Sequence, residues 1–282
     1  MPYASKKAIA SFKPSLLSIM LGKVMKIRKR NLSCLIKRHQ LIAVIALILI
    51  TVAVITFSQL TFLKEHKPRA AIIDSLYLLI PNEEFLLQTE QILQEAGFEV
   101  REFIGENVTV RLFKELPSMN FDLIIFRVHS AYVCFTEKGE ALVSVYFFTG
   151  EEFNASKYVE EQLLGEVVIG WVKVNEEMKK FFAVTPRLIL NSKGSFDGTV
   201  ILVDSCYGLN NTYMAKAFIK KGANIYIGWD REVSFLYADN VTLSLLKHLV
   251  IDHLKLEDAV NLTIQECGKD PLYKNSLLYY TR

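Results

Sequence analysis

The chain has 282 residues, 51% of them hydrophobic, and a formal net charge of +3. The charge is unevenly spread: residues 1–40 carry ten Lys/Arg and no acid, which leaves −7 for residues 41–282. So apolar a composition excludes a disordered chain, the acidic C-terminal part argues against nucleic acid as a partner, and four cysteines do not make a disulfide scaffold.

Residues 1–40 form a basic segment in which apolar residues interleave with the charge ("SLLSIMLGKVMKIRKR"), a pattern suited to a helix lying on anionic lipid or to a solvated tail. The run "LIAVIALILITVAVITFSQLTF", Leu41 to Phe62, has no charged residue. At about 1.5 Å per residue it reaches roughly 33 Å, enough for a bilayer core of about 30 Å. It is too long for a cleaved signal peptide and no A-x-A-like site follows, so it reads as an uncleaved signal anchor. Flanking basic residues stay on the cytoplasmic side, so residues 1–40 are expected inside and the rest outside the cell membrane, although Lys64, Lys67 and Arg69 flank the other end.

Residues 63–69 are a short linker, and residues 70–282 read as one α/β domain. A buried strand is expected over Ala70–Leu79, an amphipathic helix over Asn82–Gly97, a strand over 98–105, and a short helix over 108–119. Phe121–Val128 ("FDLIIFRV") is a third strand. Ala131–Phe148 reads as a hairpin turning at Lys138-Gly139, followed by a hairpin around Trp171 and a strand near Phe182. Gly198–Ser205 ("GTVILVDS") is another buried strand, followed by a helix over 211–222 and a strand over Ala223–Trp229. Helices over about Ser234–His253 and Leu256–Cys267 complete the pattern. Continuous apolar strands separated by helices predict a mostly parallel sheet covered on both faces.

In such sheets, ligands and catalytic groups gather at the C-terminal ends of the strands. Here "LIIFRV" runs into His129-Ser130, and "VILV" runs into Asp204-Ser205-Cys206-Tyr207-Gly208. A His and a Cys at the tips of neighbouring strands suit thiol nucleophile chemistry, with His129 taking the Cys206 proton and returning it to a leaving amine. The backbone N–H groups of Ser130 and Cys206 would hold the oxyanion. Each residue also has a plain reading: Cys206 as a small buried hydrophobe, His129 as a strand-end histidine bonded to backbone.

With "LIIFRVHS", "VILVDSCYG" and "MAKAFIKKGANIYIGWD" in this order, residues 70–255 resemble the caspase-like cysteine peptidases, the superfamily of caspases, gingipains, clostripain, separase and CHAT domains. The overall pattern resembles a membrane-anchored archaeal relative. The resemblance implies a three-layer caspase-like (caspase-hemoglobinase) sandwich, a His129–Cys206 dyad, a peptide or protein substrate and no cofactor. It also implies that Asp204 lines a pocket for a basic side chain, with Asp230 a second candidate, and hence cleavage after Arg or Lys. Either Asp could instead cap the turn that follows its strand. The family usually has Gly after the His, where this chain has Ser130. An alternative from another class is a caspase-like peptide-binding or sensor module without turnover; a flavodoxin- or receiver-like domain fits only the first two βα units.

Asn107, Asn154, Asn210, Asn240 and Asn261 each open an N-x-[ST] sequon, where chance would give about one or two. No C-x-x-C or H-E-x-x-H occurs, so no metal is expected, and His248 and His253 are better explained by packing. Cys134, Cys206 and Cys267 are an odd set for pairing, and Cys34 sits on the cytoplasmic side of the anchor, where a free or lipidated thiol fits.

Overall fold

The computed structural model describes residues 67–282 except 136–140 and 175, together with residues 45–56 and a few positions before them. These fall into two units that divide between His66 and Lys67. In the first, residues 45–56 are helical, and Leu47, Ile48, Leu49 and Ile50, a full turn, are each at least 55% exposed. No helix among the described residues is long and apolar enough to cross a membrane; the rest of the expected span, 41–44 and 57–62, lies almost wholly outside them.

The second unit is built on a six-stranded sheet. Its strands are β1 (Arg69–Asp74), β2 (Glu99–Ile104), β3 (Leu123–Arg127), β8 (Val200–Asp204), β9 (Ile225–Trp229) and β10 (Leu277–Thr281), in the spatial order β10-β9-β8-β3-β1-β2. All neighbours are parallel except the edge pair β9–β10. The central strands are apolar up to the Asp74, Arg127 and Asp204 that end them, because both faces are covered. Ala70 and Ile72 of β1, Leu123 and Ile125 of β3 and Leu202 of β8 face one way, against α1 (Glu83–Glu95), α6 (Phe235–Val250) and α7 (Leu256–Cys267). Ala71 and Ile73, Ile124 and Phe126, and Ile201 and Val203 face the other way, against α2 (Val110–Glu115), α4 (Pro186–Asn191) and α5 (Tyr213–Lys220). The period-2 alternation therefore divides each strand between two cores, and the domain has three layers.

Local signals set the helix starts. Asn82 Oδ1 accepts the Phe85 N–H at 3.1 Å, Thr109 Oγ1 accepts that of Leu112 at 3.1 Å, and Thr185 caps α4 ahead of Pro186.

Between β3 and β8 the chain builds β4 (Ser130–Phe135), β5 (Ala141–Glu152), α3 (Val159–Leu163), β6 (Val167–Val174) and β7 (Glu177–Val184). The four strands close into a small antiparallel barrel, order β4-β5-β7-β6. Val145, Phe147, Val167, Phe182 and Val184 join the core on the α2/α4 side.

The structure departs from the sequence expectations at several places, and adds the helices α3 and α4 where only strands were expected. The first strand stops at Asp74 instead of Leu79, because the Asp74 carboxylate accepts the Tyr77 N–H at 2.8 Å and turns Leu76–Leu78 into a 3-10 helix. The helix expected over 108–119 is interrupted by Pro117, so Leu116–Ser118 is a separate 3-10 turn. The chain also ends on a strand, β10, that the sequence reading missed: of its five residues only Leu277 is buried.

Candidate functional site

β3 and β8 lie side by side, with Arg127 paired in register to Asp204. His129 and Cys206 each follow two residues later, so they occupy equivalent positions at the same end of the sheet. The two loops are joined: the Ser130 hydroxyl donates to the Cys206 carbonyl, and the Ser205 hydroxyl donates to Ser130 Oγ at 2.8 Å. The Phe148 N–H donates to the His129 carbonyl at 2.9 Å, which makes Ser130–Phe147 the non-hydrogen-bonded pair of the β4–β5 ladder. The Ser130 N–H therefore points away from β5. Tyr207, next after the cysteine, takes a left-handed backbone (φ 56°) and donates its N–H to Arg231 O at 2.8 Å, so the chain turns sharply beside the thiol.

The imidazole and the thiol are both engaged, but not with each other. The His129 ring packs between aromatic rings, with centroids 6.2 Å from Phe148 and 5.8 Å from Phe235, and makes no hydrogen bond among the described residues. Burial pushes its pKa down to about 4, so the ring is neutral at pH 7. Cys206 Sγ lies 3.5 Å from both the carbonyl oxygen and the amide nitrogen of Val233. Burial raises the thiol pKa against the opposing pull of the Val233 N–H, and Glu232 adds to the rise. His129 borders a cavity of about 510 Å³ with Trp171, Lys173 and Phe148. Cys206 borders a second, of about 900 Å³, and Ile80 and Phe235 line both.

Asp204 is 3% exposed. Burial raises its pKa well above the ordinary value, and neighbouring Asp239 adds to this. Its surroundings are a charge cluster that the sequence reading did not find. Arg127, fully buried, donates Nε to Asp239 Oδ1 at 2.7 Å, Nη2 to Asp239 Oδ2 at 3.1 Å, and Nη1 to both oxygens of Asp74 at 3.0 and 3.2 Å. Nη1 also reaches the Ile80 carbonyl at 3.1 Å. The signal was the Arg inside "LIIFRV", since an arginine in a buried strand requires acidic partners; which acids they are depends on the fold. Asp230, at the end of β9, accepts the Ser276 N–H at 2.7 Å and so fastens the entry to β10.

The other candidates are dispersed. His248 bridges α6 and α7, with Nδ1 2.8 Å from Asp252 and Nε2 2.9 Å from Glu266. Among the described residues no cluster of His, Cys, Asp or Glu could hold a metal ion. Cys206 and Cys267 are free thiols and border the same cavity. Cys34 and the Cys134 side chain lie outside the described residues. All five sequon asparagines are exposed. Compared with known proteins, the chain matches no family model and no curated protein.

Proposed function

We propose that the domain is a caspase-like cysteine endopeptidase that acts through Cys206 and His129. One observation carries the reading: the two side chains sit at equivalent positions past paired residues of adjacent parallel strands, and their cavities meet at Ile80 and Phe235. The three-layer architecture, with its antiparallel strand at the sheet edge, supports the caspase-like assignment.

In the proposed reaction a bound peptide displaces the Val233 contacts of the thiol. The Cys206 proton passes to His129, whose neutral imidazole is the form able to accept it, while sulfur forms a bond to the peptide carbonyl carbon. The N–H groups of Ser130 and Cys206 face the resulting oxyanion. The C–N bond breaks as His129 returns its proton to the leaving amine. Water, deprotonated by His129, then hydrolyses the thioester and restores the thiol. A peptidyl acyloxymethyl ketone should label Cys206, and labelling should disappear in Cys206→Ala and fall sharply in His129→Ala. If no such probe labels Cys206, there is no peptidase.

A second reading, a peptide-binding module without turnover, is favoured by the resting thiol, which is bonded to backbone and not to the imidazole. It requires saturable peptide binding with no cleavage over many hours.

We read the apolar helix around residues 45–56 as part of a single membrane anchor, with the basic segment in the cytoplasm and the domain on the cell exterior. The exposure of the apolar side chains at 47–50 and of all five sequon asparagines supports this. Protease added to intact cells should remove the domain and spare residues 1–40.

A further inference from the structure

The cavity beside Cys206 differs in chemistry from the basic-residue pocket that the resemblance implies. Its walls are Val233, Phe235, Leu236, Tyr237, Leu272 and Tyr273, with the thiol at one side. Leu236 and Leu272 are each 72% exposed, so large apolar surface is open to solvent where a substrate would enter. Among the described residues, the charges on its border are Glu232 and Lys269, opposite in sign. Glu232 is hydrogen-bonded to the Tyr207 hydroxyl, whose pKa is pushed to about 12, mainly by burial and then by that bond. Asp204 is buried, and Asp230 accepts the Ser276 N–H and already has a cation beside it, Arg231 Nε at 3.9 Å from Oδ2.

We infer that this cavity takes a bulky apolar side chain, Phe, Tyr or Leu, next to the peptide bond presented to Cys206, and that it disfavours Arg and Lys. An ammonium or guanidinium placed there would meet Glu232 already bonded to Tyr207, with the like charge of Lys269 nearby, whereas an aromatic ring would cover Leu236 and Leu272. The inference rests on the peptidase reading for the bond it presents, but the cavity's preference can be measured without turnover. Apolar pockets of this kind discriminate by roughly 10–200-fold for small changes in side-chain volume.

The experiment is protection of Cys206 from iodoacetamide in the full-length protein, followed by mass spectrometry of the Cys206 peptide. Acetylated tetrapeptide amides ending in Phe, Leu, Arg or Asp serve as the protecting ligands. The Phe and Leu amides should slow alkylation at about tenfold lower concentration than the Arg amide. Leu272→Glu, a change at an exposed position, should weaken the Phe amide and improve the Arg amide. The inference is overturned if Arg protects as well as Phe, if no amide protects, or if phosphatidylcholine vesicles alone protect as strongly, which would make the surface a lipid contact. Turnover is read separately with the matching peptidyl coumarin amides. Protection by Phe without any cleavage keeps the pocket and removes the peptidase.

Discussion

The Phe235 ring meets the His129 imidazole edge-on, 5.8 Å between centroids at an interplanar angle of 88°, and the same ring lines the cavity that contains the Cys206 thiol. Phe235 therefore covers one side of the imidazole and stands where the two cavities join. Phe235→Ala should let water reach the ring and move the His129 pKa from about 4 toward the ordinary value near 6.5. Titration of the His129 Cε1–H signal by NMR checks this; a signal that still fails to titrate between pH 7.5 and 5 would remove Phe235 as the cause.

Arg127 and Asp204 make a contrasting pair. Arg127→Met would leave Asp74 and Asp239 buried with no cation beside them, and should destabilise the protein by about 3–5 kcal/mol. Burial and neighbouring Asp239 push the Asp204 carboxyl toward its uncharged form, so Asp204→Asn should change stability by less than about 1 kcal/mol. Urea unfolding at pH 7 distinguishes the two. Equal losses would contradict the upward shift of Asp204.

His248 gives a pH dependence of definite sign. Burial opposes its charge, but the hydrogen bonds to Asp252 and Glu266 outweigh burial and raise its pKa above the ordinary value. The folded protein thus holds this proton more tightly than the unfolded chain. The stabilisation is fully present below about pH 6.5 and is lost as pH rises through the folded pKa. His248→Ala should therefore cost about 1 kcal/mol at pH 5.5 and clearly less at pH 9, measured by thermal unfolding at each pH. A larger loss at pH 9 would reverse the sign.

Gly150, in β5, packs its backbone against the turn at Gly105–Asn107, and its N–H donates to Val108 O at 2.7 Å. A Cβ at this position would stand 1.9 Å from the Gly105 carbonyl oxygen. Gly150→Ala should destabilise by about 1–3 kcal/mol, whereas Gly97→Ala, where a Cβ meets nothing within 4 Å, is strained only by its positive φ of 87°.

The parallel core was legible because strands buried on both faces are continuously apolar, and "AAIID", "LIIF" and "VILV" say so without help. Placing His129 and Cys206 at strand tips needed only that pattern and the polar residues that end each run. The β4–β7 barrel was only half legible, since its hairpins show alternation but their closure depends on contacts far apart in sequence. β10 was not legible at all: it lies at an edge and buries little, so tertiary pairing with β9, and not periodicity, makes it a strand. The occupancy of the site was equally hidden. Nothing in the order of residues tells that Val233 holds the thiol, that Phe235 screens the imidazole, or that Asp204 turns toward Asp239 and not toward solvent.

Only Val128 and His129 separate the last residue of β3, Arg127, from the first residue of β4, Ser130. Arg127 is clamped by two carboxylates in the core, and Ser130 belongs to the barrel wall. The imidazole is thus mounted on a two-residue link between the sheet and the barrel wall, too short to absorb slack. Any displacement of the barrel wall at Ser130 would carry the ring with it, and the hydrogen bond from the Ser130 hydroxyl to the Cys206 carbonyl would carry the cysteine loop along.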